Sequence, residues 1–369
     1  MTKAAELANL IGNINAGGGG VNRNVIINGA MNVAQRGTSA TGKGDADGYF
    51  TCDRWNIDVG VSTSASAGRF TMSQDSSAPS GFANSLKLAC TTADTSIAAG
   101  ERLQLQQKFE GQNLQAFAKG TSDAKPFAVS FYVKGNASAT YVCELFDLDN
   151  TRQCSKTFNV TTDWTRVELT FPADTTGTFD DDNAASLMIN IFLHAGSNRT
   201  SGTLNSSGFA SSTTANRAVG ISSFFDSTAR TFFITGVQLE VGQNPTSFEH
   251  EPFSQTLQKC LRYTFVHQTD VAYGISALSG FVADTTVTLN LYQFPVEMRA
   301  APTLSTSGSF IMINGSESNA ISGSFSLQQP STHNARVDST LGSNSTLGRV
   351  SVTRNNNDAD ANLTFDAEL

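Results

Sequence analysis

Few segments of this chain combine residue types that could do chemistry, and the densest is Tyr49-Phe50-Thr51-Cys52-Asp53-Arg54-Trp55. Sugars are held by flat aromatic faces against their C–H surfaces and by carboxylate, amide and guanidinium groups against their hydroxyls. Tyr49 and Trp55 would supply such a platform, with Asp53 and Arg54 as polar partners. Trp55 also stands two residues before Ile57 on an apparent strand, which is the position of a core anchor. Trp164, followed by Val167, Leu169 and Phe171 in alternation, reads as packing. Asp180-Asp181-Asp182 offers carboxylates to a hard cation such as Ca²⁺, which takes several oxygen ligands from a flexible loop. Neighbouring side chains on an extended segment cannot all point one way, so another loop would have to contribute; a solvated connection between strands is the plainer reading. Glu249 and Glu251 share a face if their segment is extended, and could then pair for glycoside hydrolysis.

Other constellations are missing. His194, His250, His267 and His333 are far apart, and none begins a metal-ligand spacing. Gly323-Ser324-Phe325-Ser326-Leu327 lacks the closing glycine of a nucleophile elbow. Gly17 to Gly20 are followed by no Lys-Ser or Lys-Thr and preceded by no parallel strand, so they cradle no phosphate. The expectation is a protein without catalysis, needing no cofactor beyond that possible calcium. The 5 cysteines form no metal knuckle or disulfide framework. Cys143 and Cys154 flank the turn signal Asp147-Leu148-Asp149-Asn150, and a hairpin centred on Leu148-Asp149 predicts them opposite each other as two small residues on a buried face.

The elements that must position these groups are β-strands. The chain has 369 residues, more than one core usually holds, and 15% of them are charged, while Gly, Ser, Thr, Asn and Ala dominate and Phe occurs 25 times. Such a composition suits short strands, loops and buried aromatics on alternate positions. A net charge of -8 with scattered Lys and Arg excludes a phosphate-tracking surface and hence nucleic acid as partner. No apolar run reaches the roughly 20 residues that span a bilayer, so membrane insertion is not expected. Strands are predicted at 127–134, 139–147, 153–160, 165–171, 187–193 and 230–241, with the Ser/Thr/Gly/Asn-rich stretch 198–216 as a mobile loop. Spacing of about ten residues without intervening helices argues for an antiparallel jelly-roll β-sandwich over 21–250. Leu7, Ile11 and Ile14, with Ala4, line one side of a short helix over 2–14 that cannot be stable alone and needs a partner; Gly17 to Gly20 would act as its swivel, making 1–20 an anchor. A strand at 234–241, a helix from Ser254 to Leu261 and a second, smaller β-sandwich complete the chain over 251–369.

The junction ITGVQLEVGQNPTSFEHEPFSQTLQKCLRYTF, from Ile234 to Phe265, resembles one found in tail-fibre and other virion structural proteins of tailed bacteriophages. There a jelly-roll sandwich ends in a GVQLEVG-type strand followed by an acidic segment and a helix ending in Cys-x-Arg-Tyr. RNVIINGAMNVAQRGTS and FTCDRWNI are similar to the opening of the phage jelly-roll modules that look like carbohydrate-binding modules, and FPVEMRAAPTL is similar to fibre C-terminal modules. The resemblance implies a homotrimeric tail fibre assembled in the host cytoplasm, joined to other virion proteins through its N-terminus and recognising a host-surface polysaccharide. A capsid-decorating or adaptor protein with no sugar ligand is the alternative, and a polysaccharide depolymerase is a third.

Overall fold

The computed structural model describes residues 2–15, 22–60, 66–315 and 317–369. The chain divides into a unit of Met1–Thr256 together with Leu369, and a unit of Leu257–Glu368. The glycines expected to form a swivel lie outside the described residues.

In the first unit a helix, α1 (Lys3–Asn15), precedes strands β1 (Ser39–Lys43), β2 (Gly48–Tyr49), β3 (Asn56–Asp58), β4 (Arg69–Asp75), β5 (Ser85–Thr92), β6 (Arg102–Glu110), β7 (Phe127–Gly135), β8 (Ala139–Asp147), β9 (Arg152–Val160), β10 (Thr165–Phe171) and β11 (Ala185–Ala195). A one-turn helix, α2 (Ser197–Thr200), then leads to β12 (Ala210–Ser211) and β13 (Thr231–Val241). The strands form an antiparallel jelly-roll sandwich. One sheet has the order β1-β4-β5-β13-β7-β10 and the other β12-β9-β8-β11-β6-β3-β2. Period-two alternation puts Phe127, Val129, Phe131 and Val133 of β7 into the same core as Tyr141, Cys143 and Leu145 of β8. The strands expected from the sequence are all present, with ends shifted by at most two residues.

Side chains rather than turns hold the N-terminal segment onto the sandwich. Asn24 donates Nδ2–H to the Val237 carbonyl at 3.2 Å and accepts the Leu239 N–H at 3.0 Å, replacing a strand at that edge. Asn28 accepts the Val33 N–H and donates to the carbonyls of Val33 and Asp53. Val237 lies beyond a bulge in β13 where Gly236 has φ +63, and a Cβ there would come within 2.7 Å of the Phe82 ring. Only glycine satisfies both demands.

The hairpin β8–β9 differs from its predicted register. Leu145, not Cys143, lies opposite Cys154, and Cys143 lies opposite Lys156. The loop is longer than a two-residue turn because the Asp147 carboxylate accepts the Asn150 N–H and Thr151 takes a left-handed φ of 52. Both cysteines are free and fully buried, and burial raises the Cys154 thiol to about 11. The stretch 198–216 is not a loose loop either. Its backbone bonds to the body through Asn198 N to Ala99 O, Ser155 N to Asn205 O and Ser212 N to Thr151 O, and Leu204 packs on Val142 and Phe192.

Beyond β13 comes α3 (Phe253–Leu261), one residue earlier than the expected cap. The second unit contains β14 (Thr264–Gln268), β15 (Ile275–Asp284), β16 (Val287–Gln293), β17 (Thr303–Ser307), β18 (Phe310–Asn314), β19 (Glu317–Gln328), β20 (Asn334–Leu341), β21 (Val350–Asn355) and β22 (Asn362–Asp366). The smaller β domain is there, in a particular form. β15-β16-β20-β19-β18-β21 close into a barrel, and β14-β22-β17 make a separate three-stranded sheet. Closure of β15 on β21 removes the edges that two facing sheets would leave. The final strand, β22, is the central one of its sheet, with Phe365 packed on Tyr292 at 4.8 Å between ring centroids.

One end of the sandwich is held by a buried cation. Lys119 Nζ reaches Asp147 Oδ2 at 2.5 Å, Gly177 O at 2.6 Å, Thr176 O at 3.0 Å and Asp174 Oδ2 at 3.3 Å, with Lys119 and Asp147 side chains fully enclosed. Removing one member of a buried pair strands the other charge without solvent. Lys119→Met should therefore destabilise the sandwich by about 3–5 kcal/mol, read as a lower urea midpoint at pH 7; an unchanged midpoint would show that Asp147 is solvated or protonated without its lysine.

Candidate functional site

On β6, β8 and β11, Leu103, Leu105, Cys143, Leu145, Ile189 and Ile191 enter the sandwich core. The residues between them, Gln104, Gln106, Glu144, Asn190 and Phe192, project from the opposite, outer face of the seven-stranded sheet. Register sets them in rows. Asn190 lies opposite both Gln106 and Glu144, Glu144 opposite Ser155, and Gln106 opposite Asn56. One polar row thus crosses β9, β8, β11, β6 and β3. In β11 every residue after Ala185 is buried, which means that this outer face is covered too.

The cover is the stretch after β11. Arg217 grips Glu144 with both arms, Nε to Oε1 at 2.8 Å and Nη2 to Oε2 at 2.6 Å, and its guanidinium lies over the rings of Phe146 and Phe192 at 4.6 and 5.5 Å. Asn190 Nδ2 donates to the same carboxylate at 2.7 Å. On β3, Asp58 receives Arg102 at 2.7 Å and Gln106 Nε2 at 3.1 Å. Arg199 is charge-matched by neither carboxylate. It donates to the Gly100 carbonyl at 3.3 Å, and burial together with the nearby Arg102 and Arg217 lowers its pKa to about 10.

Buried polar atoms without a hydrogen-bond partner on this face include Gln104 Nε2, Asn190 Oδ1, Gln153 Nε2 and Arg199 Nε. Each unmade hydrogen bond costs about 1–3 kcal/mol. Ordered water is the usual partner of such buried polar atoms. Both carboxylates of the row are paired with arginine, and among the described residues no group of three or more His, Cys, Asp or Glu is placed to hold a metal.

The residues singled out from the sequence lie elsewhere. Trp55 is fully buried in the core and donates Nε1–H to the Asn28 carbonyl at 3.2 Å. Asp53 is also fully buried, with Oδ1 accepting the Gln35 N–H at 2.9 Å, and Arg54 donates to the Lys108 carbonyl at 2.7 Å. The expected sugar platform is therefore not assembled: Trp55 has no free face and Asp53 no contact with solvent. Tyr49 is half-buried with the Arg36 guanidinium 5.2 Å from its ring centroid. Trp164 packs edge-on against Phe233 at 6.1 Å. Asp180 and Asp182 stabilise turns, the Asp180 N–H donating to Asp149 Oδ2 and Asp182 Oδ1 accepting the Ala184 N–H; the side chains of Asp180, Asp181 and Asp182 are exposed. Glu249 is committed to structure, its two oxygens accepting the N–H groups of Asn22 and Asn24 at 2.7 and 3.0 Å. Leu7 and Ile11 of α1 are exposed by 58% and 49%; the side chain of Ile14 is outside the described residues.

Sequence reading missed Glu144, Asn190, Arg199 and Arg217. The visible signal was Asn190 within an otherwise apolar strand, which alternation places on the face away from the core. Nothing local pairs Glu144 with an arginine 73 residues later.

No family model matches the chain, and no curated protein matches it. Among solved structures, the chain is similar to one described as "CBM4 structure and function", at 14% identity over 58% of this chain and 97% of that one, with a TM-score of 0.30. It is similar to a family 11 carbohydrate-binding module from Clostridium thermocellum in complex with a β-1,3-1,4-mixed-linked tetrasaccharide, at 13% identity over 58% and 99% of the chains, TM-score 0.27. It is also similar to the N-terminal cellulose-binding domain of a Cellulomonas fimi β-1,4-glucanase, at 16% identity over 60% and 100%, TM-score 0.27.

Beyond a bulge near the end of β11, where its ring meets Phe225 of the core, His194 places Nε2 3.1 Å from Glu101 and Nδ1 2.8 Å from the Ser223 hydroxyl. Burial lowers its pKa below the ordinary 6.5, an effect that Glu101 only partly offsets. The folded imidazole thus resists a proton that the unfolded chain accepts. Its contribution to stability is complete above about pH 6.5 and is lost as pH falls from there toward the folded pKa. His194→Gln should flatten the decline in thermal midpoint between about pH 6.5 and 5; an equally steep decline in the variant would assign the slope to other groups.

Proposed function

We propose that this chain is a non-enzymatic structural protein of a tailed-phage virion, a homotrimeric tail fibre that attaches to host-surface glycan through its jelly-roll sandwich. The observation that carries the glycan part is the buried polar row with its unpaired amide and guanidinium atoms. Amides and guanidinium groups in fixed positions match the alternating donors and acceptors of sugar hydroxyls. The fibre part rests on the junction from Ile234 to Phe265 and on the module openings that resemble those of phage fibres. The helix α1 supports attachment to other virion proteins, because Leu7 and Ile11 lie on its outside, uncovered. The alternative is a capsid-decorating or adaptor protein that uses the same sandwich to fasten neighbouring subunits and binds no sugar. A depolymerase is less favoured, since Glu249 is engaged by backbone N–H groups.

Purified protein screened against neutral and acidic bacterial polysaccharides should bind a restricted set. In Gln104→Ala with Asn190→Ala, affinity for that set should fall by roughly 10-fold or more, as two hydrogen bonds of about 1 kcal/mol each are removed, in protein whose β-rich circular dichroism spectrum is retained; the thermal midpoint should fall as well, because Asn190 also donates to the buried Glu144 carboxylate. Binding to none of the polysaccharides would favour the adaptor reading.

Attachment is tested separately. A fully buried Leu or Ile side chain contributes roughly 1.5–3 kcal/mol, multiplied across the copies of an oligomer. Leu7→Asp with Ile11→Asp should leave the circular dichroism spectrum β-rich and abolish incorporation into particles. Normal incorporation of that variant would move attachment to another surface.

A further inference from the structure

The barrel of the second unit closes through a strand that gives its interior no apolar side chain. Each of the other five strands places at least one there: Leu278 on β15, Tyr292 on β16, Met312 on β18, Phe325 on β19 and Val337 on β20 all belong to the apolar clusters of this unit. β21 has the opposite pattern. Its alternation turns Ser351, Thr353 and Asn355 inward, where they are buried, and leaves Val350 outside at 74% exposed. Among the described residues, none of β21 joins either cluster. The inward groups are also unpaired: Ser351 Oγ, Thr353 Oγ1 and Asn355 Oδ1 have no hydrogen-bond partner. Asn355 cannot turn its amide over to gain one, because Nδ2 already donates to the Thr269 hydroxyl and, at 2.6 Å, to the Val271 carbonyl. β21 is therefore held by its backbone ladders to β15 and β18, the first interrupted between Ile275 and Ser279. At its end it is held by that amide and by the Arg354 guanidinium, 5.0 Å from the Tyr273 ring centroid.

We propose that β21 is the releasable strand of the barrel, detaching as a unit while the other five strands stay folded. Detaching a strand ordinarily carries its own core side chains into water, and that loss is what holds most strands in place. β21 has no such side chains to lose; only the cover over neighbours such as Met312, which lies opposite Thr353, is given up. Solvation acts in the other direction. Hydroxyl and amide oxygens without partners inside the barrel gain hydrogen bonds to water once the strand is out. The ladder groups exchange protein partners for water at a small net change per bond. The balance thus favours opening at β21 over opening at β20, whose Val337 and Leu341 are buried in the clusters. Release leaves β15 and β18 with unpaired backbone edges, the state in which a sheet accepts a further strand.

The opening of β21 requires neither a bound glycan nor a place in a virion, so its test is independent of both. Native-state hydrogen exchange is measured on the full chain without denaturant. After correction for intrinsic rates, the amides of 350–355 should exchange roughly 10-fold or more faster than those of 335–341 in β20. Thr353→Val keeps the shape of the side chain and removes the hydroxyl, so it should slow exchange across 350–355 several-fold and leave 335–341 unchanged. Exchange of both segments at one rate would overturn the proposal, since the barrel would then open only as a whole. Faster exchange of 350–355 in Thr353→Val would overturn it too, because the hydroxyl would then be bonded in the closed barrel and would itself hold the strand. The wild-type comparison decides alone should Thr353→Val fail to fold.

Discussion

Glu144 is an ionisable carboxylate without solvent contact in the middle of a β-strand, and the sandwich tolerates it because Arg217 holds both of its oxygens. A buried charge without a partner would cost several kcal/mol. The pairing therefore obliges the stretch after β11 to return over the outer face of the sheet, and everything else about that face follows. Val142 and Phe192 gain an apolar cover in Leu204 and Ala218. Arg199 is tied back to the Gly100 carbonyl. Asn190 and Gln104 lose water and are left with hydrogen-bonding capacity that the chain itself does not use.

The same device recurs. In a chain with few charges, many of those in the sandwich are spent as pins between segments far apart in sequence. Lys119 joins Asp147 and Asp174, Arg102 joins Asp58, and Arg23 reaches Glu240. Surface pairs of this kind contribute little, but enclosed ones fix which loop lies where. Asp174 illustrates the balance. Burial alone would raise its pKa, yet hydrogen bonds from Arg152 and Thr176 and the nearby Lys119 hold it below the ordinary value. The outer face of the seven-stranded sheet is thus built from strands, which are rigid, and roofed by a loop that is tied down by charge. Such an arrangement can present fixed donors to a ligand without first ordering them.

The two units fill their interiors differently. The sandwich encloses a large apolar core between its sheets. The barrel interior mixes small polar residues such as Thr288, Asn290 and Thr353 with Leu278, Met312, Phe325 and Val337.

Strand positions were legible in the sequence because period-two alternation is local: Thr165–Phe171 and Ala139–Asp147 have the ends that alternation and turn residues assign. The helical stripe of Leu7 and Ile11 and the domain junction were legible for the same reason. Register was not. A change in the β8–β9 loop moved the partner of Cys154 from Cys143 to Leu145, since loop length depends on how Asp147 and Thr151 settle. The proposed sugar platform failed at Trp55 because an aromatic residue looks the same in sequence whether its face is buried or free. The face that carries the polar row depends on Glu144 meeting Arg217 and on Asp58 meeting Arg102, contacts across 73 and 44 residues. Sequence by itself determined which residues could pair, alternate and turn. Only the tertiary structure decided which charges found each other, and so which polar groups were left over for a partner.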